Sequence, residues 1–553
     1  MDKDQALEEM MGKLGDFGRY QCFQFILHIL AAMTAGIHML SLVTVAAVPE
    51  HRCWINGVDT VESVAAWNSS EILAAIPITV DGQIESCYMY NELNKTAKCF
   101  KWVYDNKYKS SSRGIDWNFV CDNRWKGAIT QTVFMLGVLT GAATLGGMAD
   151  KFGRKIIFCW SGVLQLIFGV IAAFISEFWM FLLVQYFYAL FGSAGSFITG
   201  FVLTMEMVGK SKRTVIGIVF QCAFSLGIIV VAVWGALVDN WKILQVIYGL
   251  HGLLLIPHIW LMDESPRWLW AQGRAKEAVE IVQKGLKCNR SKEILEKDRI
   301  VAKRKTEKLK DVDGPSVTTL DLFKTPNLRM KTINVCFCWF ANSLVYYGLI
   351  LNMSKIKGNP YLIMTFFGLV ELPSYAAVSY LLDIWGRRPM ISSMMLIGGV
   401  ACVIAGYLQS ASIASTTTIM AGKFFITGSF AIIYNYTAEL FPTVVRNSVL
   451  GLGSMCARLS GALTPFISLL DSFDPQVPTV IFGVIALISG FFTTFLPETM
   501  GQPMPQSLAD GEMFGKGETC FLSCYGRNKS KLYSTQDETS DAMISIEHTN
   551  EKV

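Results

Sequence analysis

Charge is scarce in this chain: Asp, Glu, Lys and Arg make up 17% of its 553 residues, against 52% that are hydrophobic. A soluble domain carries about 25% charged residues, so this composition points away from water-soluble folds. There are only six histidines, and no His/Cys cluster has metal-ligand spacing, so neither a metal nor another cofactor is expected. The sequence has no G-x-x-x-x-G-K-[ST] phosphate loop and no nucleophile elbow in a strand-to-helix context, and an enzyme is not expected. The formal net charge is only +4 and suggests no nucleic-acid partner. The first twenty residues are polar and acidic and lack the basic, apolar, small-residue order of a cleaved signal. The first hydrophobic run is therefore expected to remain as an anchor.

The apolar residues are gathered into long runs near 21–47, 127–148, 156–176, 179–204, 214–238 and 244–262, and again near 332–353, 361–382, 389–408, 415–437, 447–470 and 478–496. Each has the length of a bilayer-spanning helix. The sequence thus predicts an all-α membrane protein of twelve transmembrane helices in two six-helix halves, 21–262 and 332–496. A linker, 263–331, joins them, and 1–20 and 497–553 flank them. The linker contains helix-compatible stretches at Ala275–Cys288 and Lys292–Leu309. The last stretch is rich in Gly, Ser, Thr and charge and is expected to be largely disordered.

Lys151, Arg154, Lys155, Lys210, Lys212, Arg213, Arg387, Arg388 and Arg446 follow even-numbered runs. The positive-inside rule then puts both termini in the cytoplasm and segment 48–126 outside, in a multi-pass plasma-membrane protein. That segment holds Cys53, Cys87, Cys99 and Cys121, an even set suited to two disulfides in any of three connectivities. It also holds the glycosylation sequons at Asn68 and Asn94.

The chain repeats itself at an offset of 233 residues. Asp150, Gly153, Arg154 and Lys155 after the second run reappear as Asp383, Gly386, Arg387 and Arg388 after the eighth. Glu206 and Arg213 reappear as Glu439 and Arg446, and Glu264 as Glu498 one residue out of step. Three acidic landmarks in one register indicate a duplicated six-helix unit. A carboxylate at a helix end and an Arg in the next loop suit a latch that pairs across the halves while the cytoplasmic side is closed, with Gly153 and Gly386 permitting tight turns.

These features resemble the major facilitator superfamily. More narrowly, Pro49-Glu-His-Arg-Cys53, Asp116-Trp-Asn-Phe-Val-Cys121, Glu264-Ser-Pro-Arg-Trp268 and the run from Thr437 to Asn447 resemble the organic cation, anion and carnitine transporter family. The resemblance covers about residues 10 to 510. It implies transport of small charged organic molecules by rocking of two halves about a central site.

Two charges lie in mid-run: Glu371 in the eighth and Arg458 in the eleventh. A centrally placed arginine costs about 2.5 to 3.5 kcal/mol on insertion scales, so each is expected to face an interior with a partner, and each is the other's candidate companion. Their equivalents in the first half are Val138 and Ser225, so these charges are additions to the shared scaffold and favour ligand chemistry. Within the resembled family, Arg458 with Tyr375 four residues after Glu371 is similar to the carnitine and zwitterion branch. The guanidinium would take a carboxylate, and Glu371 with aromatic faces an ammonium. Tyr346 and Tyr434 are the aromatics the resemblance favours, beside Tyr347, Tyr436, Trp234 and Phe197. Lys423 is a second cation in a run, set to meet substrate or to snorkel outward, and Gln221 offers uncharged hydrogen bonding. The expected function is transport of small organic cations or zwitterions, with Na+ coupling kept open. An organic-anion exchanger is the first alternative, and a nontransporting receptor or scaffold the second.

Overall fold

The computed structural model describes residues 5–516 apart from 61–65, 68, 79–83, 92–94, 210, 294, 296–318, 354–355, 357, 409–411, 443 and 503. The sequons at Asn68 and Asn94, most of 292–309, and the chain beyond 516 lie outside the described residues.

A helix stands at each predicted run. The first half comprises Arg19–Val45, Cys121–Phe152, Arg154–Ile171, Phe178–Met207, Arg213–Leu237 and Trp241–Leu261. The second comprises Pro326–Asn352, Pro360–Trp385, Arg387–Tyr407, Ile413–Leu440, Arg446–Ser468 and Val477–Thr493. We number them first to twelfth. Ten are long and apolar enough to cross a bilayer. The eleventh is diluted by Arg446, Arg458 and several serines, and the twelfth has only 17 residues. The second and seventh helices begin about six residues before their hydrophobic runs, because charge at a membrane edge does not end a helix, whereas the third stops at Ile171 and the twelfth at Thr493, short of theirs. The seventh starts at Pro326, whose missing N–H costs nothing there. The fourth is π-helical over Leu190–Ile198.

Within the first half, the first and fifth helices approach backbone to backbone. A Cβ on Gly36 would lie 2.3 Å from the Phe224 carbonyl, and one on Gly227 2.3 Å from that of Met33. The halves meet along the fifth and eighth helices and along the second and eleventh, two contacts related by the 233-residue repeat.

The large loop between the first two helices carries two small antiparallel sheets, His51–Cys53 with Trp102–Tyr104 and Tyr88–Tyr90 with Thr96–Lys98. Of the three possible connectivities it has Cys53–Cys99 and Cys87–Cys121. Arg52, fully buried, pairs with Asp59 through two 2.8 Å bonds. Buried Arg113 anchors the loop to the first half: its guanidinium donates to the carbonyls of Ala172 and Ile175, and lies 3.9 Å over the Trp241 ring. Asp116 accepts from Trp241 Nε1 at 2.8 Å and Trp117 Nε1 donates to the Ser176 carbonyl at 3.2 Å, so the Asp116–Cys121 motif ties the loop to the sixth helix and to the turn after the third.

Two segments outside the bundle form short helices. Helix Gln5–Leu14 packs Leu7, Met10 and Leu14 against Val279, Val282 and Leu286 of the linker helix Ala275–Cys288, which forms as predicted. At the other end, Leu508–Met513 is a helix whose Glu512 accepts the Asn327 and Leu328 N–H groups at 3.0 and 2.8 Å. A carboxylate at a helix N-terminus satisfies orphan donors and meets the positive end of the dipole, which holds this part of the tail on the seventh helix.

Candidate functional site

Between the halves lies a narrow cavity lined by the first, fourth, fifth, seventh, eighth, tenth and eleventh helices. Its walls are mostly aromatic: Phe197, Phe224, Tyr346, Tyr347, Tyr375, Phe430 and Tyr434, with Gln221, Ser193 and Arg458 as polar members. The tyrosines at 346 and 347 meet edge to face at 5.2 Å, and Tyr346 stacks on Phe430 at 5.8 Å. Ser193 and Phe197 come from the π-helical stretch, a feature frequent at functional sites.

Arg458 is 6% exposed. Its guanidinium donates to the Tyr347 hydroxyl at 3.4 Å, its Nε has no partner, and among the described residues no carboxylate lies within ion-pair distance. The expected companion is engaged elsewhere. Glu371, fully buried, pairs with Lys423 at 2.6 Å, accepts the Tyr346 hydroxyl at 2.7 Å, and accepts the Ser225 hydroxyl from the fifth helix. Pairing of Glu371 with Arg458 is thus corrected to pairing with Lys423, and Lys423 does not snorkel outward. Its ammonium sits 3.2 Å above the centre of the Tyr346 ring, with no side-chain exposure. The physical reason is Coulombic: two opposite charges removed from water are tolerable only in contact.

Gln221, Tyr346, Tyr375, Tyr434 and Arg458 thus come together at the cavity, whereas Glu371 and Lys423 lie behind its wall. Trp234 does not reach it; its ring faces His251 at 6.3 Å, toward the sixth helix. Tyr436 is also elsewhere, donating to the Pro497 carbonyl at 2.7 Å. Phe224, Phe430 and Ser193 were not singled out from sequence, since nothing distinguishes them from packing residues. Ser225 had appeared only as the repeat counterpart of Arg458.

The repeated charged residues cluster at the ends of the helices opposite the large loop. Arg154 pairs with Asp150 at 2.8 Å and Glu206 at 3.2 Å; Arg387 pairs with Asp383 at 3.3 Å and Glu439 at 3.0 Å. Arg213 donates to the Val208 carbonyl, and Arg446 to the Met504 sulfur. In this structure all of these pairs lie within one half. On this side Gly146 and Gly147 of the second helix and Gly451 of the eleventh have open space where a Cβ would lie.

Gly153 and Gly386 adopt φ of +114° and +90°, and a Cβ there would come within 2.6 Å of Glu264 and 2.8 Å of Glu498. Glu264 accepts the Lys155 N–H at 3.1 Å, and Glu498 those of Arg387 and Arg388 at 3.0 and 3.1 Å. The third acidic landmark of each half thus caps the third or ninth helix from a distance. Burial raises the Glu264 carboxyl above its ordinary value, although the backbone donors from Ser265 and Lys155 oppose this.

The loop side is bridged by polar contacts. Arg124 of the second helix meets both oxygens of Asp471 beyond the eleventh at 2.7 Å. Tyr361 of the eighth donates to the Tyr108 carbonyl at 3.3 Å, while Lys109 holds the Val238 carbonyl at 3.0 Å. Among the described residues no group of three or more His, Cys, Asp or Glu is placed to hold a metal ion.

Residues 71–507 match the family described as "Sugar (and other) transporter". The chain is 36% identical over 522 residues to an organic cation transporter protein of Drosophila melanogaster, covering 92% of this chain and 95% of that one. It is 30% identical to solute carrier family 22 member 4 of Mus musculus, over 91% and 94% of the two chains. In fold it resembles the inward-open xylose transporter XylE from E. coli, with a TM-score of 0.58 at 15% identity, covering 87% of this chain and 97% of that one. With its two six-helix halves, its charged loops repeated at 233 residues and these near full-length likenesses, the chain belongs to the solute carrier 22 organic cation transporter family of the major facilitator superfamily, a family of membrane transporters and not of enzymes.

Proposed function

We propose that the protein carries small carboxylate-bearing zwitterions, carnitine-like or amine-bearing, across the plasma membrane by alternating access around the central cavity. The observation that carries this reading is Arg458: a guanidinium on an aromatic-lined cavity between the halves, with no carboxylate paired to it among the described residues. A substrate carboxylate supplies the missing partner through charge-assisted hydrogen bonds, and the tyrosine and phenylalanine faces suit a quaternary or protonated nitrogen. The Arg124–Asp471 bridge between the halves on the loop side fits one end state of a rocking cycle. In this reading the loop is extracellular, both termini are cytoplasmic, Na+ is the candidate coupling ion, and the Arg154 and Arg387 clusters are the cytoplasmic gating elements.

An organic-anion exchanger is the second reading. It is favoured by the neutralisation of Glu371 by Lys423, which leaves the cavity a net positive charge. Radiotracer uptake of carnitine, a dicarboxylate and a simple quaternary cation, each with and without Na+, separates the two. Saturable carnitine uptake exceeding dicarboxylate uptake supports the zwitterion reading; dicarboxylate exchange without carnitine uptake replaces it. Uptake of the simple cation alone defeats both.

A further inference from the structure

We propose that Lys423 is a specificity-determining residue whose ammonium occupies, as a tethered cation, the position beside the cavity where a substrate amine would otherwise bind. Proteins hold an alkylammonium with a carboxylate and an aromatic face, and both are assembled around Lys423: the Glu371 oxygen at 2.6 Å and the Tyr346 ring centre at 3.2 Å. The carboxylate is fixed for this task by the hydroxyls of Tyr346 and Ser225. The Lys423 ammonium makes no hydrogen bond among the described residues, so the ion pair with Glu371 and the Tyr346 ring are the contacts that hold its charge. Tyr346 is shared, because the same side chain that bears Lys423 also lines the cavity. The space filled by the lysine stem therefore adjoins the cavity through one aromatic residue.

The consequence for selection is direct. With Lys423 in place, Glu371 has no charge left to offer, and Arg458 is the ionised group that a solute meets. An amine lacking a carboxylate finds only aromatic faces there, with no carboxylate to pair with it, and is repelled by the guanidinium. With the lysine side chain removed, Glu371 faces the vacated space, and a primary or small quaternary alkylammonium can take its place. This inference rests on the reading that the central cavity is the transport site.

The test is surface-corrected uptake of radiolabelled n-propylammonium and tetramethylammonium by the wild-type chain, Lys423→Ala and Lys423→Ala/Glu371→Gln, with carnitine measured in parallel. Lys423→Ala is expected to gain saturable uptake of at least one amine, about fivefold or more over wild type, and the double variant to lose it. A Lys423→Ala protein that moves carnitine but gains no amine uptake overturns the assignment, as does a gain that survives Glu371→Gln. If Lys423→Ala does not reach the surface, expression in the presence of n-propylammonium is expected to restore it. Failure of that rescue also overturns the assignment, leaving a structural ion pair. If the wild-type chain moves no carboxylated solute, the proposed function fails, while the Lys423→Ala gain still decides the role of the lysine.

Discussion

Glu371 and Lys423 meet at 2.6 Å with neither side chain exposed, both on helices of the second half. Breaking a buried pair by removing one partner strands the other charge and costs about 3 to 5 kcal/mol. Glu371→Gln is therefore expected to lower the thermal unfolding midpoint of the purified protein sharply, whereas Glu371→Gln/Lys423→Met recovers most of the loss. If the single variant melts like wild type, the pair does not hold the fold.

Arg458 makes the opposite prediction, because it leaves no charged partner stranded. Arg458→Ala is expected to raise KM for carboxylated substrates by about tenfold or more, the worth of a hydrogen bond to a charged group. Arg458→Lys, a point charge without the planar fork, falls between. Unchanged kinetics across carboxylated substrates would remove Arg458 from the site.

Arg124 and Asp471 bridge the halves on the loop side, with Arg124 38% exposed. An ion pair so placed is worth about 1 kcal/mol or less, so Arg124→Ala is expected to raise the open-side population by at most about fivefold. Labelling of a cysteine placed at Gln131, which lines the space beneath the loop, reports that population. The reversed pair Arg124→Asp/Asp471→Arg restores the slow rate if the ion pair is the latch.

Gly153→Ala and Gly386→Ala each force a side chain into positive φ and against a capping carboxylate. Strain of this kind costs about 1 to 3 kcal/mol. The two variants are expected to lose similar thermal stability, because the repeat places them in the same turn. A difference of more than about 2 kcal/mol between them would show that the halves do not use the turn alike.

The twelve helices were legible because a bilayer sets their length, and the duplicated turns because charge at a membrane edge is rare enough to align. The pairing at the centre was not. Glu371, Lys423 and Arg458 each stand about ten residues, roughly 15 Å at helical rise, from the loop-side end of their helices. Their common depth is readable from the runs; the direction each side chain takes around its helix depends on how the helices rotate against one another. Ser225, the counterpart of Arg458 in the repeat, donates to Glu371, whereas the counterpart of Glu371, Val138, is apolar and brings no charge to answer Arg458. The helix at Gln5–Leu14 had its signal in Leu7, Met10, Met11 and Leu14, spaced along one helical face within an otherwise acidic stretch.

The two bridges of the large loop interlock in sequence, since Cys87 lies between Cys53 and Cys99 while Cys121 lies beyond them. A single peptide-bond cut anywhere between Cys53 and Cys121 leaves at least one bridge spanning the break. Pairing of neighbours, Cys53 with Cys87 and Cys99 with Cys121, would leave the stretch between Cys87 and Cys99 uncovered. As paired, the loop can be nicked once by a protease at any point between Cys53 and Cys121, and the first helix stays covalently tied to the eleven that follow.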